Sequence, residues 1–424
     1  MKLIEDLEAR GLVEALTDPD IGKALESPMT VYCGFDPSAR SLQAGNLVSI
    51  MVLRRFQQAG HKVIALVGGA TGLIGDPSGK SAERNMLTLE QVEENKRGIR
   101  ENLSRILDFD GPNPAVMVDN YDWYRSTSAI EFLRDIAINF RVPQMLAKES
   151  VKKRLEASEG ALTFTEFSYQ ILQGNDFLHL YDNFGCTLEV GGADQWGNIT
   201  AGTDLVHRMR GKTAYGLTFP LLLDSAGRKF GKSEGNALFM NGEMTPVYDW
   251  YQYFLRAADA DVIRYLKVFS MKSLDEIAAL ETEMKAHPEE RIPQKALAEE
   301  LTLLVHGEEG LAKAREATAA LFGGGQSADG GPKTAAELER VFANVPSAQL
   351  AAGDVVGKAV FAVAAAAGMF KSNGEARRMA AQGGLSLNNV KVDDKRVFGQ
   401  DDLVEGAVAV LRSGKRNHFL LKVK

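Results

Sequence analysis

At 424 residues, with 45% hydrophobic and 25% charged side chains, the chain has material for two to four domains with sizeable cores. It shows no apolar run of bilayer length and no signal region, and its two cysteines, Cys33 and Cys186, exclude a disulfide framework or a paired-ligand zinc site; a soluble, cytoplasmic protein is expected. The net charge of −7 is uneven, because residues 355–424 carry 12 Lys/Arg against 6 Asp/Glu, a net of +6 that leaves −13 elsewhere; on charge alone that basic end fits a polyanionic partner and a merely solvated surface equally.

In chain order, "MKLIEDLEARGLVEALTD" (1–18) predicts one amphipathic, acidic helix. "TVYCGF" (30–35) is β-rich, a helical pattern runs from about Asn46 to Ala59, and "KVIALVGG" (62–69) is strand-like again. Strand, helix and strand at this spacing predict a βαβ unit and a parallel sheet. "ATGLIGDPSGK" (70–80) breaks regularity, and Thr88 with Gln91 forms a capping-box spacing for a helix to about Leu107. "AVMVD" (115–119) predicts a strand, and 127–155 is mainly helical with an interruption at Pro143. "TFTEFSYQILQGNDF" is read as helical to about Gly174, "TLEVGG" (187–192) as a strand, and 193–210 as a helix. This alternation predicts an α/β fold with a doubly wound parallel sheet.

Beyond about 235 the strand signals fade, 245–322 is helix-rich, and "GGGQSADGGPK" (323–333) reads as a flexible linker. Ser372 and Glu375 open a basic helix through Arg377 and Arg378, and strand-like "LSLNNVKV" and "HFLLKVK" complete a small α/β segment.

Four stretches carry chemistry. "GGATGLIGDPSGK" has small residues that let backbone N–H groups approach a phosphate, yet a purely structural loop is equally compatible; it fits neither the P-loop nor the dinucleotide fingerprint. "KFGKS" (229–233) places two lysines three apart in a Gly-containing, mobile loop, which suits the spread charge of a transferring pyrophosphate. "GGADQWGN" (191–198) sits at the C-terminal end of a strand, where open α/β sheets bind ligands; its glycines and Asp194 suit a ribose, and the Gln195 amide can donate to a carboxylate. Tyr169, Gln173 and Asp176 share one helical stripe, and their apolar neighbours argue for partial burial.

Together "YCGFDPSA", "GHKVIALVGGATGLIGDPSGK", "FTEFSYQILQGNDF", "GGADQWGNIT" and "KFGKS" resemble the bacterial-type tyrosyl-tRNA synthetases, class I enzymes, in the right order over nearly the whole chain. The resemblance implies a Rossmann-like catalytic domain over 1–234 with a helical insertion at about 120–160. It also implies a helical anticodon-region domain over 235–322, the linker, and an S4-like RNA-binding domain over 334–424. It implies tyrosine–tRNA ligase activity with L-tyrosine, tRNA(Tyr) and ATP with Mg2+ as substrates, no prosthetic group or protein metal site, and a homodimer away from membranes.

Carried over by position, Tyr32 and Asp176 would read the phenol. Asp76, Tyr169 and Gln173 would hold the ammonium, with Gln195 near the carboxylate. Cys33, Gly34, Asp36, Gly192 and Asp194 would face the nucleotide, and Ser38, Lys80, Arg84, Lys229, Lys232 and Ser233 its phosphates. The chain departs from the family at Gln43-Ala44-Gly45-Asn46, where the class signature is His-x-Gly-His, and at Arg40, where an acidic residue is usual. Imidazole and carboxamide both offer a neutral N–H donor, so Gln43 and Asn46 are expected to replace the histidines, with Gly45 admitting the nucleotide closely and Arg40 adding charge at the phosphate end. The altered signature also fits a scaffold kept only for RNA binding, and a tryptophanyl relative would share fold and chemistry; the Tyr32–Asp176 pair favours a hydroxylated substrate.

Overall fold

In the computed structural model, the described residues are 2–78, 87–156, 162–233, 236–322, 334–342, 346–388, 390–414 and 417–424. They form two compact units, one of residues 1–245 with 252–305 and one of 246–251 with 306–424.

The first unit is built on a six-stranded sheet of β1 (Ala15–Leu16), β2 (Thr30–Phe35), β3 (Lys62–Val67), β4 (Val116–Asp119), β5 (Cys186–Gly192) and β6 (Tyr215–Phe219). Its order is β1-β6-β5-β2-β3-β4, parallel except for the antiparallel edge strand β1. Parallel strands buried on both faces read as near-continuous apolar runs, which is why Val31–Cys33 and Val63–Val67 are buried throughout. Helix Leu47–Gln58 packs on β2 and β3. Against the opposite face, Tyr32, Ile64 and Leu66 pack with Phe177, Leu178 and Leu180 of helix Phe164–Phe184 and with Leu205 and Val206 of helix Trp196–Arg210. Each such aliphatic side chain contributes about 1.5–3 kcal/mol when fully buried.

The order reverses between β5 and β2, so the carboxyl ends of those two strands flank a crevice where a doubly wound sheet binds its ligand. The chain supplies Asp36 directly after β2 and Asp194 and Gln195 directly after β5.

Four local expectations are corrected. Residues 1–18 are not one helix: Leu3–Ala9 is helical, Gly11 at φ 72° ends it, and Ala15–Leu16 turns back as β1. Helix Phe164–Phe184 runs ten residues past Gly174, to Gly185 in the left-handed region. Gly174 does not stop it, because a Cβ there would come within 3.0 Å of Phe140 and 3.5 Å of the Ala201 backbone; tight packing against helix Trp196–Arg210 offsets the glycine's roughly 1 kcal/mol helix cost. In 127–155 the helix is broken into short α, π and 3-10 pieces, and Pro143 opens helix Val142–Leu146 rather than interrupting one. Strand β6 was not expected, since Gly216 shortens its apolar run; a Cβ there would collide with Ile199.

In the second unit, strands β9 (Ser347–Leu350), β10 (Leu385–Leu387), β11 (Val390–Val392), β12 (Val408–Ser413) and β13 (Asn417–Val423) form a sheet of order β11-β10-β12-β13-β9, with β9 and β13 parallel; β7 (Lys232–Ser233) and β8 (Asn236–Ala237) form a small hairpin in the first unit. Helices Val360–Ala366 and Asn373–Ala381 close a core of Val360, Val363, Phe398, Leu411 and Leu421. The Ser372 hydroxyl accepts from the Glu375 N–H, starting the basic helix as its spacing predicts. The stretch 323–333 lies outside the described residues.

Candidate active site

The crevice at the β2–β5 switch opens into a cavity of about 310 Å³. Its inner end is lined by Tyr32, Gln173, Asp176 and Glu189. Asp36, Asp76, Tyr169, Asp194 and Gln195 also line the cavity, and Cys33, Gly34, Ser38, Gly45, Asn46 and Gly192 complete the wall.

Most of these side chains are already bonded to one another. The Asp176 carboxylate accepts from Asn120 Nδ2 and Trp123 Nε1, each at 3.0 Å. Burial pushes this carboxyl up to about 7, against the stabilising pull of the Asn120 and Trp123 donors. Asn120 also donates to Thr71 Oγ1 (2.9 Å), Thr71 donates to Asp36 Oδ1 (2.7 Å), and the Tyr169 hydroxyl donates to Asp36 Oδ2 (2.8 Å). Burial, with the Asp36 and Asp76 carboxylates, holds the Tyr169 phenol well above its ordinary range, so it stays a donor. Gln195 Nε2 donates to Asp76 Oδ2 at 2.7 Å, and its own oxygen accepts from Asn198. Burial likewise raises Asp194; Asp76 adds to the rise and Lys229 opposes it. Burial pushes the Cys33 thiol up to about 12, which makes it a neutral lining group rather than a nucleophile.

The glycines of "GGATG" serve this network. A Cβ on Gly68 would overlap Asp36 Oδ1 and Thr71 Oγ1, and one on Gly69 would overlap Asp119 Oδ1. The Gly69 and Ala70 N–H groups donate to Asp119 Oδ1 (3.2 Å) and Asn120 Oδ1 (2.7 Å). This part of the loop is therefore structural, its donors already used by side chains rather than offered to a phosphate. Gly68→Ala is expected to destabilise the protein by about 1–3 kcal/mol through overpacking, read as a lower denaturation midpoint. An unchanged midpoint would mean that the turn relaxes freely.

At the mouth, Asn46 ends the 3-10 turn Ala44–Asn46 that leads into helix Leu47–Gln58. Its Oδ1 accepts from the Gln43 N–H at 2.9 Å, which leaves the amide NH2 as the group presented to the cavity. Gln43 is half-buried, and its side chain is not among the cavity walls; its backbone bridges Phe239. Within "KFG" the central Phe230 is a packing anchor. Phe230 is buried against Phe269 (4.9 Å, stacked) and Tyr265 (5.0 Å, edge-on). Gly231, at φ 81°, lies so near the signature turn that a Cβ would come within 3.0 Å of the Gly45 nitrogen. Lys229 and Lys232 on either side are exposed.

Arg40 is not at the cavity. It lines a separate concavity and faces Glu94 at 3.8 Å. Lys80 and Arg84 lie outside the described residues, as does the Ser233 side chain. Sequence reasoning missed Glu189, Asn120, Trp123 and Thr71. Glu189 had a signal, because a lone carboxylate in the otherwise apolar "CTLEVGG" marks a buried charge that needs a reason.

Residues 23–323 match the family described as tRNA synthetases class I (W and Y), and residues 337–421 match a tyrosine–tRNA ligase SYY-like C-terminal domain. The tyrosine–tRNA ligase of Rhodopirellula baltica is 47% identical over 100% of this chain and 96% of its own. That of Bacillus caldotenax is also 47% identical, over the full length of both. A C-terminally truncated mitochondrial tyrosyl-tRNA synthetase from Aspergillus nidulans superposes with a TM-score of 0.68 at 29% identity, covering 76% of this chain and 94% of that one. With an α/β sheet whose switch point holds this cavity, and with similarity running from end to end, the chain belongs to the class I tRNA synthetases and, within them, to the tyrosine–tRNA ligases.

Proposed function

We propose that the cavity activates L-tyrosine with ATP and that the adenylate formed there charges tRNA(Tyr). The tyrosine carboxylate attacks the α-phosphorus in line and pyrophosphate leaves; a hydroxyl of the tRNA's terminal ribose then takes the tyrosyl group and AMP leaves. No side chain becomes covalently bonded, so rate comes from positioning and from donors aimed at developing charge. Tyr32 and Asp176 read the phenol, Asp76, Tyr169 and Gln173 hold the ammonium, and Gln195 faces the carboxylate. Cys33, Gly34, Asp36, Gly192 and Asp194 form the nucleotide wall, and Asn46, Gln43, Ser38, Lys80, Arg84, Lys229, Lys232 and Ser233 act on the phosphates. ATP would enter as its Mg2+ complex, the ion supplying positive charge to the phosphates beside Lys229 and Lys232.

The observation that carries this reading is the inner end of the cavity. Tyr32 Oη is fully buried with no hydrogen-bond partner in bonding geometry, near a carboxylate at Asp176 whose oxygens each hold one donor and can take another. Such a pair is completed by a hydroxyl and left unpaired by phenylalanine. Tyr32→Phe is expected to lose about 0.5–1.5 kcal/mol of preference for tyrosine over phenylalanine. Tyrosine-dependent ATP–pyrophosphate exchange with both amino acids measures it, and an intact preference in both Tyr32→Phe and Asp176→Ala would overturn the pocket assignment.

A homodimer is supported by exposed apolar side chains clustered over 130–146, where Ile130 is 70% and Ile138 62% exposed alongside Leu133 and Val142. Among the described residues no helix is long and apolar enough to cross a membrane. We place the enzyme in the cytoplasm, beside its tRNA.

A further inference from the structure

Glu189 is the buried carboxyl that the mechanism above does not use. It stands directly opposite Tyr32 in the β2–β5 register, so the two side chains share one face of the sheet. Its Oε1 accepts from Gln173 Nε2 at 2.8 Å. Its Oε2 is buried without a hydrogen-bond partner, as is Tyr32 Oη, and both residues line the cavity. Two orphaned buried polar atoms on neighbouring strands are costly unless something completes them.

We propose that Glu189 is a positioning residue whose proton sets the direction of the Tyr32 hydroxyl and thereby the grip on the substrate phenol, an inference that rests on the tyrosine-pocket reading above. With Glu189 protonated, its O–H donates to Tyr32 Oη, Tyr32 donates to the substrate phenol oxygen, and the phenol proton goes to the Asp176 carboxylate. Every donor in that chain then meets an acceptor. With Glu189 ionised it can only accept; the Tyr32 proton turns toward it, and the substrate oxygen loses its donor.

The surroundings keep that proton near the working range. Burial pushes the Glu189 carboxyl up to about 8, against the pull of the Gln173 donor and with the Asp176 charge adding to the rise. The titratable groups acting on it are Tyr32 and Cys33 on β2, Asp176 on helix Phe164–Phe184 and Cys186 on its own strand. Helix Trp196–Arg210 presents Gly202 to Oε2, and β6 places Gly216 opposite.

The test is KM for tyrosine in ATP–pyrophosphate exchange from pH 6.5 to 9 for the wild type and Glu189→Gln. The glutamine keeps an oxygen for Gln173 and permanently offers a donor to Tyr32. The substrate's own ammonium and phenol titrate in both proteins, so the ratio of the two profiles reports Glu189 together with its charge coupling to Asp176. The wild-type KM should rise about two- to tenfold relative to Glu189→Gln as pH passes 8, with kcat at saturating tyrosine nearly equal. Parallel profiles would overturn the proposal. Tyr32→Phe and Asp176→Ala measured alongside separate the two readings: lost tyrosine preference with parallel profiles removes Glu189 alone, and preference retained in both variants removes the pocket itself.

Discussion

Asn46→Asp is expected to slow tyrosyl-adenylate formation by about 10²–10³, the 2.7–4 kcal/mol typical of one lost oxyanion-type donor, while tyrosine affinity stays nearly constant. The geometry makes aspartate a sharper probe than alanine. Asn46 Oδ1 accepts from the Gln43 N–H, and aspartate keeps that acceptor and therefore the turn. What it removes is the NH2 facing the cavity, replaced by an oxygen that repels phosphate. Asn46→Ala would lose both and confuse the turn with the chemistry. Gln43→Ala should cost less, because the Gln43 side chain is not among the cavity walls. Histidine at both positions should retain activity, since a neutral imidazole presents one N–H. Pre-steady-state adenylate formation is the measurement; a wild-type rate in Asn46→Asp would show that the stretch only turns the chain.

Cutting the chain after Phe322 is expected to leave adenylate formation intact and to abolish most tRNA charging. The removed segment has its own core from Val355 to Leu421 and contributes no cavity wall. It presents Lys371, Arg378, Lys391 and Lys395 to solvent, whereas Arg377 is paired with Asp394 at 3.0 Å. For every RNA phosphate that this segment neutralises, its removal should flatten the dependence of log K on log salt by roughly 0.7–0.9. Filter-binding and charging assays across a salt series decide it; undiminished charging by the shortened protein would remove the RNA-binding role of this segment.

The parallel sheet was legible because its central strands are unbroken β-branched and apolar runs, and Thr30–Phe35 matches the observed strand at both ends. Strands β1, β6 and β9 escaped because two to five residues, with Gly216 or alanines among them, carry too little pattern. Gly174 misled because a sequence shows the helix cost of glycine but not the neighbouring helix that offsets it. The cavity was legible where polar residues share one helical stripe, as at Tyr169, Gln173 and Asp176, which all line it. It was not legible where a carboxylate depends on partners distant in sequence, as Asp176 does on Asn120 and Trp123.

The chain of bonds from Asp176 through Asn120 and Thr71 to Asp36 ties together two carboxylates of the cavity wall. Its middle link is a carboxamide, which donates to both neighbours at once but cannot accept a proton at nitrogen and hand it on. The link conducts orientation and insulates against proton relay. A proton at Asp176 is therefore not handed through these bonds to Asp36, although the two carboxylates still feel each other's charge across the cavity.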